Sequence, residues 1–176
     1  MATPRSWTNA DAVAAARDFL RQPPPRRAAA RDLMTELLSK NTYARRCAAD
    51  LARRISALEP GILRKYADVL IDLAAELQDA DWQPRGYLAL AAAHNAATAA
   101  QRARLLLLVR PLLEDPRIAV RAMALETFAL LAIAEPELRG EAMLLLDRSR
   151  HGACALGSRA RRMLPLLLAA ENKAHT

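Results

Sequence analysis

The sequence predicts an all-α protein of about nine helices, arranged as one domain of repeated helix pairs. Two properties of the composition favour helix over sheet. The 176-residue chain is 53% apolar, mostly alanine and leucine, and only 4% aromatic. It has five glycines and lacks runs of the β-branched and aromatic residues that form strands. The third observation is an internal repeat of about 38 residues.

The repeat is clearest between residues 42–63 and 118–139, which align after a shift of 76 positions. This shift places Arg45 on Arg121, and it also superimposes a Glu-Pro pair near the end of each segment. Seventy-six is twice 38, so one further unit is expected between the two segments. Arg85 lies in the equivalent place there, after a slip of two residues.

Apolar residues within each unit recur at i, i+3, i+4 and i+7, which is the spacing of one helix face. Pro60 and Pro136 are expected in the first turn of a helix, where the missing N–H is not needed. We therefore predict a single domain over 1–176. Its parts are a leading cap helix at about 9–21, units at about 23–58, 60–97, 99–134 and 136–170, and a tail at 171–176.

Residues 105–132 resemble a HEAT repeat of the armadillo-like α-solenoid family. They contain a leucine-rich first helix with an internal Pro111, a turn Asp115, and then Arg121 and the small Ala124 of a second helix. The resemblance extends over most of 23–170. It implies a right-handed α-α superhelix whose concave wall is lined by the second helix of each unit. It also implies a scaffold, because such arrays serve many unrelated partners.

Four arginines occupy the shared repeat position: Arg45, Arg85, Arg121 and Arg159. The resemblance implies that they bond to carboxylates in the turns and link neighbouring units. Asp79 and Asp115 are the carboxylates available for this role. We interpret the four arginines as structural.

A second basic series recurs in the first turn of the first helix of each unit. Its members are Arg26, Arg64 and Arg102, which are 38 residues apart, then Arg139 one residue short of the next step, with Arg27, Lys65 and Arg104 beside them. A cation at a helix N-terminus opposes the helix dipole, so helix stability does not explain the series. Stacked units would place these cations along one edge, suited to phosphates or an acidic peptide. The alternative is a solvated edge, paired with Asp32, Asp68 or Glu141.

The expected concave wall offers a further polar set without a repeating pattern. Its candidates for partner binding are Arg46 and Arg53, and its other polar members are Asp50, Arg54, His94, Asn95, Arg117 and Glu126. An aperiodic surface favours a specific protein partner over a regular polymer.

Catalytic, cofactor and metal motifs are not recognisable in the sequence. Cys47 and Cys154 have no second cysteine at ligand spacing, and neither His94 nor His151 has a partner at the spacing of a known catalytic motif. The N-terminus lacks a signal-peptide pattern, and the longest apolar run is too short to cross a bilayer. These observations predict a cytoplasmic monomer that does not partner with membranes.

The sequence therefore predicts a non-enzymatic scaffold that binds a protein or peptide through its concave wall or basic edge. The net charge of +7 leaves an alternative open, a nucleic-acid binder similar to the HEAT-like DNA alkylation repair proteins. Those proteins are longer and use an aromatic cluster that this chain lacks. Salt-dependent binding to duplex DNA separates the two hypotheses.

Overall fold

The computed structural model describes residues 7–23, 27–77 and 81–174. In these ranges the chain is helical and without strands, which confirms the all-α prediction. The nine α-helices found there are α1 (Asn9–Arg21), α2 (Arg27–Leu37), α3 (Thr42–Leu58), α4 (Ala67–Glu76), α5 (Trp82–Asn95), α6 (Ala99–Val109), α7 (Ile118–Ala134), α8 (Arg139–Ser149) and α9 (Ala155–Ala174). Helix α9 continues to Ala174, through most of the segment expected as a tail.

Side-chain caps fix the start of several helices. The Thr8 hydroxyl accepts a hydrogen bond from the Asp11 N–H, and the Asp11 carboxylate accepts one from the Thr8 N–H, which forms a capping box on α1. Thr98 and Gln101 form the same reciprocal pair at the start of α6. The Asn41 side chain caps α3. Each cap satisfies backbone N–H groups that have no partner within the helix.

Prolines and one glycine shape the joints between helices. Pro111 lacks an N–H, so α6 ends at Val109 and the chain continues as a 3-10 helix over Arg110–Glu114. Pro136 begins the 3-10 turn before α8, as expected. Pro60 was expected in a first helical turn, but it lies in a turn ahead of α4. The next residue, Gly61, has a φ of +86°, which favours glycine at this point.

The odd-numbered helices pack in series: α1 against α3, α3 against α5, α5 against α7, and α7 against α9. The even-numbered helices lie alongside this row, since α2 packs on α3, α4 on α5, α6 on α5 and α7, and α8 on α7 and α9. Buried alanines such as Ala49, Ala91 and Ala129 line the row and let the helix axes approach closely. Leu88, Phe128 and other large apolar side chains fill the core between the two sets of helices.

Candidate functional site

Two members of the predicted basic edge, Arg102 and Arg139, bind backbone carbonyls of the protein itself. Arg102 donates hydrogen bonds to the carbonyls of Ala97 (3.0 Å) and Ala96, and it also pairs with Glu135. Arg139 donates to the carbonyls of Ala132 and Ile133, both at 3.3 Å. These carbonyls lie at or just beyond the C-terminal ends of α5 and α7. Cations there are favoured by the helix dipole, which gives both arginines a structural role that the sequence pattern did not reveal.

The remaining members of the edge differ from one another. Arg104 pairs with Asp68 (2.9 Å) and Asp72, as the solvated-edge alternative anticipated for Asp68. Arg64 and Lys65 are exposed, and neither forms an ion pair with another residue in the described ranges. Arg26 lies outside the described residues, as does the side chain of Arg27. The structure therefore presents no continuous row of free cations among the described members of this series.

Two of the repeat-position arginines, Arg45 and Arg121, bind neighbouring parts of the chain. Arg45 forms an ion pair with Asp81 (3.2 Å) at the start of α5, while Asp79 lies outside the described residues. Arg121 donates to the backbone carbonyl of Asp115 (2.6 Å) rather than to its carboxylate. The carboxylate is held by Arg117, whose hydrogen bonds lower the pKa of Asp115 to about 2.

The last unit departs from the repeat register. Arg161, not Arg159, donates to the carbonyls of Arg150 (2.7 Å) and Gly152 (3.1 Å) ahead of α9. This leaves Arg159 to pair with Glu126 on the neighbouring α7.

Asp50 on α3 is the centre of the first charged group on the odd-numbered helices. Its carboxylate pairs with Arg53 (2.5 Å) and Arg54 (3.0 Å) and accepts a hydrogen bond from the Trp7 indole (3.3 Å). Burial alone would raise the pKa of Asp50, but the two arginines outweigh burial and lower it. The Arg53 guanidinium also lies over the ring of Tyr87 on α5, 5.0 Å from the ring centroid.

Glu126 on α7 is the centre of the second group. Arg159 and Arg162, both from α9, pair with its largely buried carboxylate. Burial lowers the pKa of Arg159 to about 10, and the positive charges of Arg162 and Arg53 act in the same direction. Arg53 is on α3, so residues from the first and the last helix pairs influence one another electrostatically.

The positive charges of Arg162 and Arg53 also act on His94 of α5. Burial lowers its pKa, and Arg162 and Arg53 lower it further. We call Arg53, Arg159 and Arg162, together with Tyr87 and His94, the arginine cluster. With Arg54 included, four arginines face two carboxylates, Asp50 and Glu126, so the surface keeps a positive excess.

The sequence identified Arg53 as a candidate but missed its convergence with Arg159, Arg162 and Tyr87. A signal was present, because Glu126 and Arg162 are 36 residues apart, close to one repeat. Charges of opposite sign separated by one repeat on the same helix face are expected to meet across adjacent units.

Two other concave-wall candidates have different surroundings. Arg46 is exposed and lies over Tyr43, 5.4 Å from the ring centroid, beside a cavity of about 330 Å³ that Trp82 also lines. Asn95 is not on the surface, because it is only 2% exposed. Its side chain accepts from the Leu63 N–H (2.7 Å) and donates to Ser56 Oγ (2.8 Å) and to the carbonyl of Ala91. Asn95 is therefore a structural residue.

The chain has no match among known protein families, curated proteins or solved structures. Across the described ranges, three or more histidine, cysteine or carboxylate side chains do not come together in a way that could hold a metal ion. None of the helices described is both long and apolar enough to cross a membrane. The arginine cluster brings together charged and aromatic groups from three separate helices, α3, α5 and α9.

Proposed function

We propose that this chain is a HEAT-like right-handed α-α superhelix that acts as a non-enzymatic scaffold. It binds an acidic segment of another protein at the arginine cluster. One observation carries the proposal: guanidinium groups from α3 and α9 converge beside Tyr87 and outnumber the carboxylates that neutralise them. The serial packing of odd-numbered helices supports the superhelix, since an array of stacked helix pairs has neighbour contacts of this kind.

The chemistry of the cluster favours a carboxylate ligand. Each carboxylate already present lies between two guanidinium groups, Asp50 between Arg53 and Arg54, and Glu126 between Arg159 and Arg162. A side chain of a bound acidic peptide finds the same forked donors in the remaining N–H groups. The cluster is compact and does not repeat along the chain, which fits a specific peptide better than a uniform polyanion.

His94 provides a direct test. A bound acidic peptide brings negative charge towards His94, whose pKa is lowered by burial and by two nearby arginines. We expect the pKa of His94, followed by NMR, to rise when an acidic peptide of about 15 residues is added. By linkage, affinity for the peptide should increase as the pH is lowered through the titration of His94. An unchanged His94 titration at saturating peptide would contradict binding at this cluster.

A matched pair of variants separates the cluster from general charge effects. Arg162→Ala removes an exposed cation of the cluster, whereas Arg148→Ala removes an exposed cation from α8. We expect Arg162→Ala to weaken peptide binding roughly two- to fivefold, and Arg148→Ala to leave it unchanged, because exposed charges act locally at physiological salt. Equal effects of the two variants would indicate nonspecific attraction to a basic protein.

Duplex DNA serves as the competing ligand in the same assay. The nucleic-acid alternative is favoured if DNA displaces the peptide and its affinity falls steeply with salt, as release of counterions requires. Absence of DNA binding at low salt rules out that alternative.

A further inference from the structure

A second surface lies at the N-terminal end of the molecule, and none of the five residues of the arginine cluster lines it. Helices α1 and α2 both pack against α3, and a cleft of about 570 Å³ opens between them. Its floor is a stripe on α3 that includes Ala44, Cys47 and Leu51, spaced about one turn apart. Phe19 of α1 and Leu33 of α2 form its apolar walls.

The dimensions of the cleft suit a helix. The lining residues of α3 run from Tyr43 to Leu51, which is about 12 Å along the helix axis. Those of α2 run from Ala28 to Glu36 over the same length. A helix of two to three turns could lie in this space, with its apolar face against α3.

The rim of the cleft carries negative charge. Asp32 and Glu36 are one turn apart on α2, both are exposed, and both line the cleft. Neither forms an ion pair in the described ranges, whereas ten other carboxylates there are paired with an arginine. The unpaired acids and the apolar floor together define the complementary partner: apolar on one side, with cations one turn apart beside that side.

We propose that the cleft between α1 and α2 binds a basic amphipathic helix of a partner protein, with Asp32 and Glu36 pairing with two of its lysines or arginines. This site is separate from the arginine cluster and selects the opposite charge. The same scaffold would then hold an acidic segment at one place and a basic helix at another.

Two peptides test the charge requirement. Both have about 15 residues with leucines on one helix face; one carries two lysines one turn apart beside that face, and the other carries glutamates there. We expect the lysine peptide to bind in a fluorescence anisotropy titration and the glutamate peptide to bind at least tenfold more weakly. The double variant Asp32→Lys/Glu36→Lys should weaken binding of the lysine peptide roughly tenfold, because two exposed ion pairs with the peptide are replaced by repulsion. The same variant should strengthen binding of the glutamate peptide, because the two new lysines can pair with its glutamates.

Two further variants make the result interpretable. Glu76→Lys/Glu114→Lys applies the same charge change at exposed acids outside the cleft lining and should leave both peptides unaffected. Ala28→Phe places bulk in the cleft at an exposed position, where it should not disturb folding, and should block the lysine peptide. Helicity by circular dichroism checks the fold of each variant.

The two cysteines locate the peptide directly. Cys47 lines the cleft, whereas Cys154 is exposed outside it, where backbone N–H groups of Gly157 and Leu156 lower its pKa. Bound lysine peptide should slow alkylation of Cys47 and leave the rate of Cys154 unchanged, so Cys154 serves as the internal reference.

Three results would overturn the proposal. One is equal binding of the two peptides, and another is no binding of either. The third is a rate of Cys47 alkylation that does not change when the peptide is added but rises when residues 1–6 are deleted. That result would make the chain's own N-terminal segment the occupant of the cleft. Because the arginine cluster is not altered by any of these variants, failure here leaves the proposed function standing.

Discussion

Replacing Asn95 with alanine should test whether the buried amide holds two helix pairs together. The side chain makes three hydrogen bonds, to the backbone of Leu63 in the turn before α4, to Ser56 on α3, and to Ala91 on α5. All of these groups are inside the protein, because Leu63, Ser56 and Ala91 are 0% exposed. Bulk solvent therefore does not reach these groups in the folded protein.

The size of the effect follows from the groups left behind. Alanine leaves the Leu63 N–H and the Ser56 hydroxyl without their partner, and each buried unsatisfied group costs about 1–3 kcal/mol. We expect the free energy of unfolding to fall by about 2–5 kcal/mol, a large part of the roughly 5–15 kcal/mol typical of a domain. Ser56→Ala alone should cost about 1–2 kcal/mol, because it removes one partner of the amide.

Urea unfolding followed by circular dichroism measures each value, and the double variant completes a mutant cycle. The two substitutions share one hydrogen bond, so the double variant should be more stable than the sum of the single effects predicts, by about 1 kcal/mol. Thr127→Val is the control, since the buried Thr127 hydroxyl bonds only within its own helix, to Met123. A loss below about 1 kcal/mol for Asn95→Ala, or strict additivity with Ser56→Ala, would refute this reasoning.

Three further predictions concern joints and charges. Gly157→Ala should destabilise the protein by more than about 2 kcal/mol in the same urea assay, because the new Cβ overlaps the Gly152 carbonyl. Gly140→Ala is the matched control: its Cβ enters open space, so the substitution should stabilise α8 by up to about 1 kcal/mol. Arg102→Met should lower the free energy of unfolding by about 2 kcal/mol, because Arg102 loses its contacts with the Ala97 carbonyl and Glu135. Arg64→Met should change it by less than about 0.5 kcal/mol. Similar losses from both variants would contradict the distinct roles of the two arginines. The folded-state pKa of Asp115, about 2, lies below its ordinary value of 3.8, so its stabilisation is present at neutral pH and lost as the pH falls towards 2. Asp115→Asn should therefore lower stability by about 1 kcal/mol at pH 7 and by much less near pH 2.

The helices could be predicted because their signals are local. Apolar periodicity, capping residues such as Thr98 and breaks such as Asp115-Pro116 are each read within a few residues. The chain also repeats these signals at an interval of about 38 residues. The prediction that Pro60 lies in a first helical turn was wrong, because the neighbouring Gly61 takes a positive φ and the chain turns before α4 begins.

The roles of the charged residues depend on contacts that sequence position does not encode. Arg102 and Arg139 were placed correctly near helix N-termini, but their long side chains reach carbonyls at the end of the preceding odd-numbered helix. Asn95 has the polarity of a surface residue, yet it is buried where three segments of backbone meet. Arg159 and Arg161 are only two residues apart, and which of them faces the turn depends on how α9 rotates against α7.

The serial packing of the odd-numbered helices also has a consequence for folding kinetics. Each helix contacts mainly those one or two elements away in the chain, so loop closures on folding are short and the chain should fold quickly for its size. Helices at the two ends have neighbours on one side only, so they should open first. We expect hydrogen exchange to show α1 and α2 less protected than α5 and α7. Under that gradient, the cleft between α1 and α2 is the part of the fold that a bound helix would stabilise most.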